Sequence, residues 1–285
     1  DTPMTTFVAR EDGATQRVER AKLTRREPLA SLPVVFSKKR MLETVHFLSS
    51  EELRGRGLGT EELDRAARFI AGKFQEAGLE PAGDSEGNYF QTWEDQSGTP
   101  ERRVNLRNVV GIIPGRNSEG RAQSVVVGAH YDHLGLGWPD VRKEHRGKIH
   151  HGADDNASGV AVLLELAQVL GKSLKPNSTV VFVAFTGEES GRKGSKYFVA
   201  NQKRFPSEQT PGMLNLDTVG RLEEKKLLVL GAGSAREWVH IFRGAGYVTG
   251  VGVETVSKEL DSSDQKSFQE AGIPAVQLFT GPHLD

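Results

Sequence analysis

The sequence predicts an α/β fold: a three-layer αβα domain built on a mixed, mostly parallel, doubly wound central sheet. Three observations predict it. Short runs rich in Val, Ile and Phe lack polar alternation, as in Thr179–Phe185, the pattern of strands buried on both faces. These runs alternate with segments of helical apolar spacing, the order of a sheet with helices on both faces. Three of the runs end in His, Asp or Glu, and in open α/β sheets ligands bind beyond the carboxyl ends of the strands.

With 285 residues the chain has room for one large α/β domain or two small ones, and a hydrophobic fraction of 36% suffices for a core at this size. A formal net charge of −1 points to neither nucleic acid nor an anionic membrane as a partner. No apolar stretch approaches the roughly 18 residues that span a bilayer. The chain has no cysteine, so disulfides and thiolate chemistry are excluded, and any metal must be held by His, Asp or Glu. It begins at Asp1 without a visible signal peptide and stops at Asp285 directly after a strand-like run, so a mature form or an excised piece, truncated at its C-terminus, is expected.

Residues 1–37 hold many Arg, Lys and Glu and read as an N-terminal extension; residues 38–285 form the main domain. Arg40–Leu48 has a helical pattern, and Glu51–Gly59 is a turn rich in Gly and Arg. Thr60–Gly78 places Leu63, Ala66, Ala67, Ile70, Phe74 and Ala77 on one helical face, with Gly78 suited to the C-terminal cap. Strand candidates follow at Tyr89–Trp93, Arg103–Leu106 and Asn108–Ile113, the last closed by Pro114-Gly115. Ser124–Gly128 is a strand. Residues 133–151 form a long, non-periodic loop rich in His and Gly, and such loops are usually functional. Asn156–Leu170 reads as a helix with Gly171 beyond its end. Strand-like and helix-like segments then alternate over 179–185, 191–201, 212–217, 226–230, 234–245, 264–271 and 274–279.

The strand ends carry the chemistry. His130 and Asp132, two apart on extended chain, point to the same side. A metal-binding His usually donates its second ring N–H to a carboxylate, although an HxD pair alone is more often structural. Asp154 and Asp155 precede small residues that allow a helix start close to the sheet; one Asp can cap that helix while the other bridges two metals. Glu188 and Glu189 are costly side by side at a buried strand end unless a dication offsets their repulsion. Consecutive side chains diverge, so one can ligate while the other serves as general base. The plainer role for the pair is a solvated helix N-terminus. Asp217 ends another apolar run, where a turn role is the alternative. The loop residues His133, His145, His150 and His151 are assigned as solvated rather than ligating. Each structural alternative is respectable alone, but together they require acidic or His groups at several strand ends of one sheet by coincidence.

The order HxD, DDNASG, GEE and a later Asp resembles the co-catalytic di-zinc aminopeptidases, such as bacterial leucyl aminopeptidases and aminopeptidase Y, with glutamate carboxypeptidase II as a relative. The likeness runs over residues 38–285 and includes Ser49–Arg56, Asn108–Gly111, Ser263-Asp264 with Phe268, and Ala271–Ala275. It implies a zinc exopeptidase fold and a zinc-dependent aminopeptidase that removes N-terminal residues from peptides, secreted or periplasmic. It further implies that His130 and Asp217 hold one zinc and that Asp155 bridges two zincs through a cis bond to Asn156. Glu189 would help hold the second zinc, Glu188 would act as general base and Asp132 would orient His130. The family's second zinc takes a His from a Tyr-His pair after the last strand. That ligand is expected beyond Asp285, His283 lying slightly too early in the pattern. Two alternatives share the fold: a mono-zinc glutaminyl cyclase-like enzyme, and a non-catalytic binding module such as the transferrin receptor.

Overall fold

The computed structural model describes residues 35–97, 102–116, 123–139, 141–258 and 263–281, together with the backbone of 6–9 and 15–18. Most of the expected extension over 1–37, and His283, lie outside the described residues. Within that extension β1 (Thr6–Ala9) and β2 (Thr15–Val18) pair antiparallel.

The main sheet contains β3 (Glu80–Pro81), β4 (Phe90–Ser97), β5 (Arg102–Ile113), β6 (Ser124–His130), β7 (Thr179–Phe185), β8 (Gly212–Leu216), β9 (Leu227–Leu230), β10 (Val253–Val256) and β11 (Ala275–Phe279). Their order is β10-β9-β11-β8-β6-β7-β5-β3, with β4 paired to β5. The central strands β11, β8, β6 and β7 are mutually parallel, whereas β5 and β9 join them antiparallel.

Strand β7 shows why the domain has three layers. Its Phe182 and Ala184 enter one apolar cluster with Ile70, Phe74 and Leu163, from α2 (Glu61–Glu76) and α3 (Gly159–Ser173). Its Val181, Val183 and Phe185 enter another with Phe198 and Phe268, from α4 (Lys193–Asn201) and α6 (Gln265–Glu270). A strand's side chains alternate between faces, so a run apolar at every position needs a helical layer on each. Helix α1 (Lys38–Leu48) joins the first layer, where buried Glu165 of α3 accepts hydrogen bonds from Arg40 Nε at 2.8 Å and Ser37 N at 2.6 Å. Helix α5 (Glu237–Thr249) covers the far end of the sheet through Trp238 and Phe242.

The site follows from strand order. β6 lies between β7 and β8 and is parallel to both, with His130 opposite Phe185 and Gly128 opposite Asn215. The three carboxyl ends are therefore level. The chain leaves β6 for β7 on one side and returns to β8 on the other, which opens a crevice at that edge.

Three local expectations change. Arg103–Leu106 and Asn108–Ile113 are one continuous strand, because the whole of β4 pairs along it. Helix α3 begins at Gly159, not Asn156, since Asp155 and Asn156 are non-helical. Gly171 lies inside α3, not past its end. A Cβ there would sit 2.4 Å from the Ala77 carbonyl oxygen, so the glycine lets α3 approach the end of α2. Alanine is favoured over glycine within a helix by about 1 kcal/mol, but overpacking against backbone costs about 1–3 kcal/mol. Gly171→Ala is expected to lower the urea unfolding midpoint; a raised midpoint would show that the contact yields freely.

Candidate metal centre

Each strand end delivers one element of the site. β6 ends on buried His130, whose Nε2 lies 3.2 Å from Asp155 Oδ1 and 3.6 Å from Asp217 Oδ1. Its Nδ1 faces the Asp132 main-chain oxygen at 3.3 Å and the Asp132 carboxylate at 3.7 Å. Asp132 Oδ1 also accepts the Glu188 backbone N–H at 3.1 Å, so this one residue meets the imidazole through its main-chain oxygen and ties the turn after β7 through its carboxylate. That turn needs Gly187, at φ +68°, to lead into the two glutamates. It is further tied by Asn108 of β5, whose side-chain oxygen accepts the Thr186 N–H at 3.2 Å.

The two aspartates before α3 divide their work. Asp154 accepts the Gly220 N–H at 2.8 Å and lies 3.3 Å from Arg221 Nε, so it fastens the loop after β8. Asp155 faces the ligand cluster. Neither caps α3. The Asp155–Asn156 bond is cis, as the family resemblance implies. Asn156 donates to the Leu216 carbonyl at 2.8 Å and accepts from Gly159 N and Thr218 N at 3.0 and 3.2 Å, stitching the acidic turn to the end of β8. Asp217, one residue past β8, accepts from Thr218 Oγ1 at 2.9 Å and Gln277 Nε2 at 3.2 Å.

Arg56 holds these pieces together from beneath. It is fully buried and donates to four main-chain carbonyls: Leu48, Tyr131 at 2.8 Å, and His151 and Gly152 at 2.9 Å. Its own carbonyl accepts the His133 N–H at 3.2 Å. Burial lowers its pKa to about 10, against the opposing pull of Asp132, Asp155 and Glu189.

The field of the site is strongly negative. Burial alone would strip a proton from His130, but Asp132, Asp155 and Asp217 outweigh it and raise the imidazole well above its usual value. Glu188 is pushed well above the carboxylate range, first by burial and then by Asp264, Asp217 and Glu189. Asp264 is fully buried, and burial pushes its carboxyl up to about 7 against the lowering pull of His130 and Ser195. A field that retains protons this firmly would also hold a cation.

Among the described residues two groups could hold a metal ion: His130, Asp155 and Asp217, and His133, Asp155 and Glu189. Zinc bonds to N and O of about 2.0–2.2 Å place tetrahedral ligand atoms about 3.3–3.6 Å apart. The 3.2 and 3.6 Å separations around His130 fit that spacing. Every residue expected to ligate reaches one of the two groups, while His145, His150 and His151 reach neither. Two contributors escaped the sequence reading. His133 adjoins the HxD pair, but a loop His carries no sign of direction. Arg56 is one of several Arg in a polar turn, and nothing in composition marks it as buried.

The family model for peptidase family M28 matches residues 108–284, more than half of the chain. A probable zinc metalloprotease of Pyrenophora tritici-repentis is 36% identical over 183 residues, covering 62% of this chain and 38% of that protein. Aminopeptidase YwaD of Bacillus subtilis is 32% identical over 180 residues, covering 61% of this chain and 36% of that protein. The chain thus spans less than half the length of these curated relatives. Among solved structures, glutaminyl cyclase of Porphyromonas gingivalis aligns with a TM-score of 0.67 over 88% of this chain and 86% of that one, at 18% identity, a likeness of fold alone.

Arg56→Met keeps the apolar stem and strands the carbonyls. With charged donors worth about 1.5–3 kcal/mol each, a loss of at least about 3 kcal/mol in urea unfolding is expected, and a smaller loss would mean that the carbonyls find other partners. Asp264 supplies a pH signature. Its folded value of about 7 lies above the roughly 3.9 of a free Asp. Between those values the native state holds a proton that the unfolded chain releases, so this group's contribution to stability falls as pH rises. In metal-free protein, Asp264→Asn should become increasingly more stable than wild type from about pH 5 to about pH 8. A difference independent of pH would contradict the shift.

Proposed function

The chain belongs to peptidase family M28, and we propose that it is a zinc-dependent aminopeptidase of the co-catalytic two-zinc type, releasing N-terminal residues from peptides. Asp155 carries the proposal, because it belongs to both of the groups that could hold a cation. A carboxylate at that position can bridge two ions, with His130 and Asp217 on one side and Glu189 on the other. The relative named an aminopeptidase in Bacillus subtilis supports the same class.

Zinc ions at these residues would supply Lewis acidity, lowering the pKa of a water and drawing charge from the scissile carbonyl. Glu188 would take the proton of the attacking water and hand it to the leaving amine. Its carboxyl is already raised by burial, and a nearby cation would bring it back toward the range in which a base both takes and gives a proton. Asp132 would orient His130 through Nδ1 while fixing the Glu188 backbone. Asp132, Asp155, Glu188, Glu189, Asp217 and Asp264 crowd the centre with carboxylates, which suits a peptide's amino end and would repel its carboxylate end. Arg56, the buried cation beneath them, is already engaged with main-chain carbonyls. No helix among the described residues is long and apolar enough to cross a membrane. A secreted or periplasmic location is proposed from the resemblance.

Glu188→Gln is expected to cut turnover of an aminoacyl p-nitroanilide by at least about 100-fold while zinc content stays unchanged. Loss of zinc in that variant would make Glu188 a ligand and overturn its role as base. Ring closure of a Gln-peptide without release of its first residue would replace the proposal with a cyclase. Peptide binding with neither reaction would replace it with a binding module.

A further inference from the structure

Resting on the aminopeptidase reading above, we propose that a cavity beside the metal centre is the subsite for the residue after the scissile bond. It selects an apolar or aromatic side chain there, and in a dipeptide it also receives the terminal carboxylate. The cavity measures about 640 Å³, within the range of about 300–1,000 Å³ typical of ligand sites. Leu58, Leu134, Leu136 and Trp138 give it an apolar lining, and Arg54 and Arg102 bring guanidinium groups against the carboxylate of Glu62. Its walls continue directly from the centre. Leu134 follows His133, whose Nδ1 is 2.6 Å from Glu189 Oε1, and Leu58 is two residues past Arg56. Leu58 also reaches the turn after β7, where a Cβ on Gly187, one residue before Glu188, would stand 3.4 Å from its Cδ1.

The two segments that line the cavity are locked main chain to main chain. Gly135 donates its N–H to the Gly55 carbonyl at 3.0 Å, and its own carbonyl accepts the His150 N–H at 2.9 Å. A Cβ on Gly55 would stand 2.3 Å from the His150 carbonyl oxygen, and one on Gly135 would stand 2.8 Å from Gly57 Cα. The Trp138 N–H donates to the Leu134 carbonyl at 2.9 Å, which closes the turn that carries both side chains. Arg54 occupies left-handed backbone at φ +42°, as Arg56 does at φ +50°, a conformation unfavourable for a residue with a Cβ. The carbonyl contacts of Arg56 account for it there. Arg54 approaches Glu62 at 3.9 Å, too far for a hydrogen bond, and lines the cavity. Charge decides which part of the peptide belongs here. The carboxylates of the centre attract the amino end. Consecutive Cα atoms are about 3.8 Å apart, so the residue after the scissile bond is the one that reaches a cavity bordering the centre, with the carboxylate end beyond it. Guanidinium groups suit that end, whereas an apolar first side chain would gain nothing from them.

The test compares hydrolysis of alanyl-phenylalanine, alanyl-alanine, phenylalanyl-alanine and alanyl-phenylalanine amide by the zinc-loaded wild type, Trp138→Ala and Arg54→Gln. In parallel, calorimetry measures binding of the same compounds to zinc-loaded Glu188→Gln, with and without Trp138→Ala. In wild type, kcat/KM for alanyl-phenylalanine is expected to exceed that for alanyl-alanine by at least about tenfold, and in Trp138→Ala that ratio should collapse toward unity. The ratio does not depend on how much of a variant is folded. Should Trp138→Ala not fold at all, Leu136→Ser, at an exposed position of the same lining, takes its place. The acid is expected to be preferred to its amide by about threefold in wild type and by less in Arg54→Gln. A ratio unchanged in Trp138→Ala would overturn the cavity as a subsite. A preference for phenylalanine at the first residue that Trp138→Ala abolishes would overturn its assignment to the leaving side. If nothing is hydrolysed but binding shows the same Trp138-dependent preference, the aminopeptidase reading fails and the cavity is upheld as a peptide site. No preference in either measurement overturns the cavity.

Discussion

A single buried guanidinium sets the floor of this site. Arg56 is sequestered from water, has no ion-pair partner at hydrogen-bond distance among the described residues, and spends its donors on main-chain carbonyls from three separate segments. Those segments are the end of α1, the stretch after β6 and the approach to the acidic turn. Such a residue is expensive to bury. It is retained here because main-chain dipoles solvate it and because its positive charge lies beneath a cluster of carboxylates. Removing it would strand several carbonyls at once, and the geometry of His133, Gly152 and Asp155 would lose its common anchor.

Above that floor the sheet topology concentrates like charge. Three parallel strands end level, and each contributes acidic groups or a His to the same crevice. Part of the repulsion is offset by protons: His130 is pushed toward its charged form by Asp132, Asp155 and Asp217, and Glu188 and Asp264 are pushed toward their neutral forms. These are the signs of a site organised around something positive. A cation shared through Asp155 would relieve the same strain and leave Glu188 beside a polarised substrate. The surrounding hydrogen bonds serve this arrangement. Asp154, Asn156, Asn108 and Asp132 each join two chain segments that are distant in sequence, so the candidate metal-holding side chains are positioned by crosslinks between loops and not by any one loop.

Much of this was legible before any coordinates. The apolar runs 179–185 and 212–217, the helical face of residues 60–78 and the acidic groups at strand ends follow from short-range periodicity, which a linear reading captures. The strands that escaped detection or were split are those governed by pairing. β10 is a four-residue edge strand with no apolar pattern of its own, and β5 is continuous because β4 runs along its length. Gly171 was misread as a helix end because local sequence records the absence of a side chain and not the carbonyl that requires it.

The sequence by itself determined the fold class, the strand ends that carry His130, Glu188, Glu189 and Asp217, the acidic pair Asp154-Asp155 before a helix, and the absence of thiolate ligands. Each of these rests on residue type and local spacing. Only the tertiary structure decided that Asp154 fastens a loop while Asp155 faces the cluster, that His133 meets Glu189, and that Arg56 is buried beneath them. Those outcomes depend on distances between segments up to about a hundred residues apart in the chain. Such distances are set by the packing of whole layers, and a one-dimensional pattern carries no term for them.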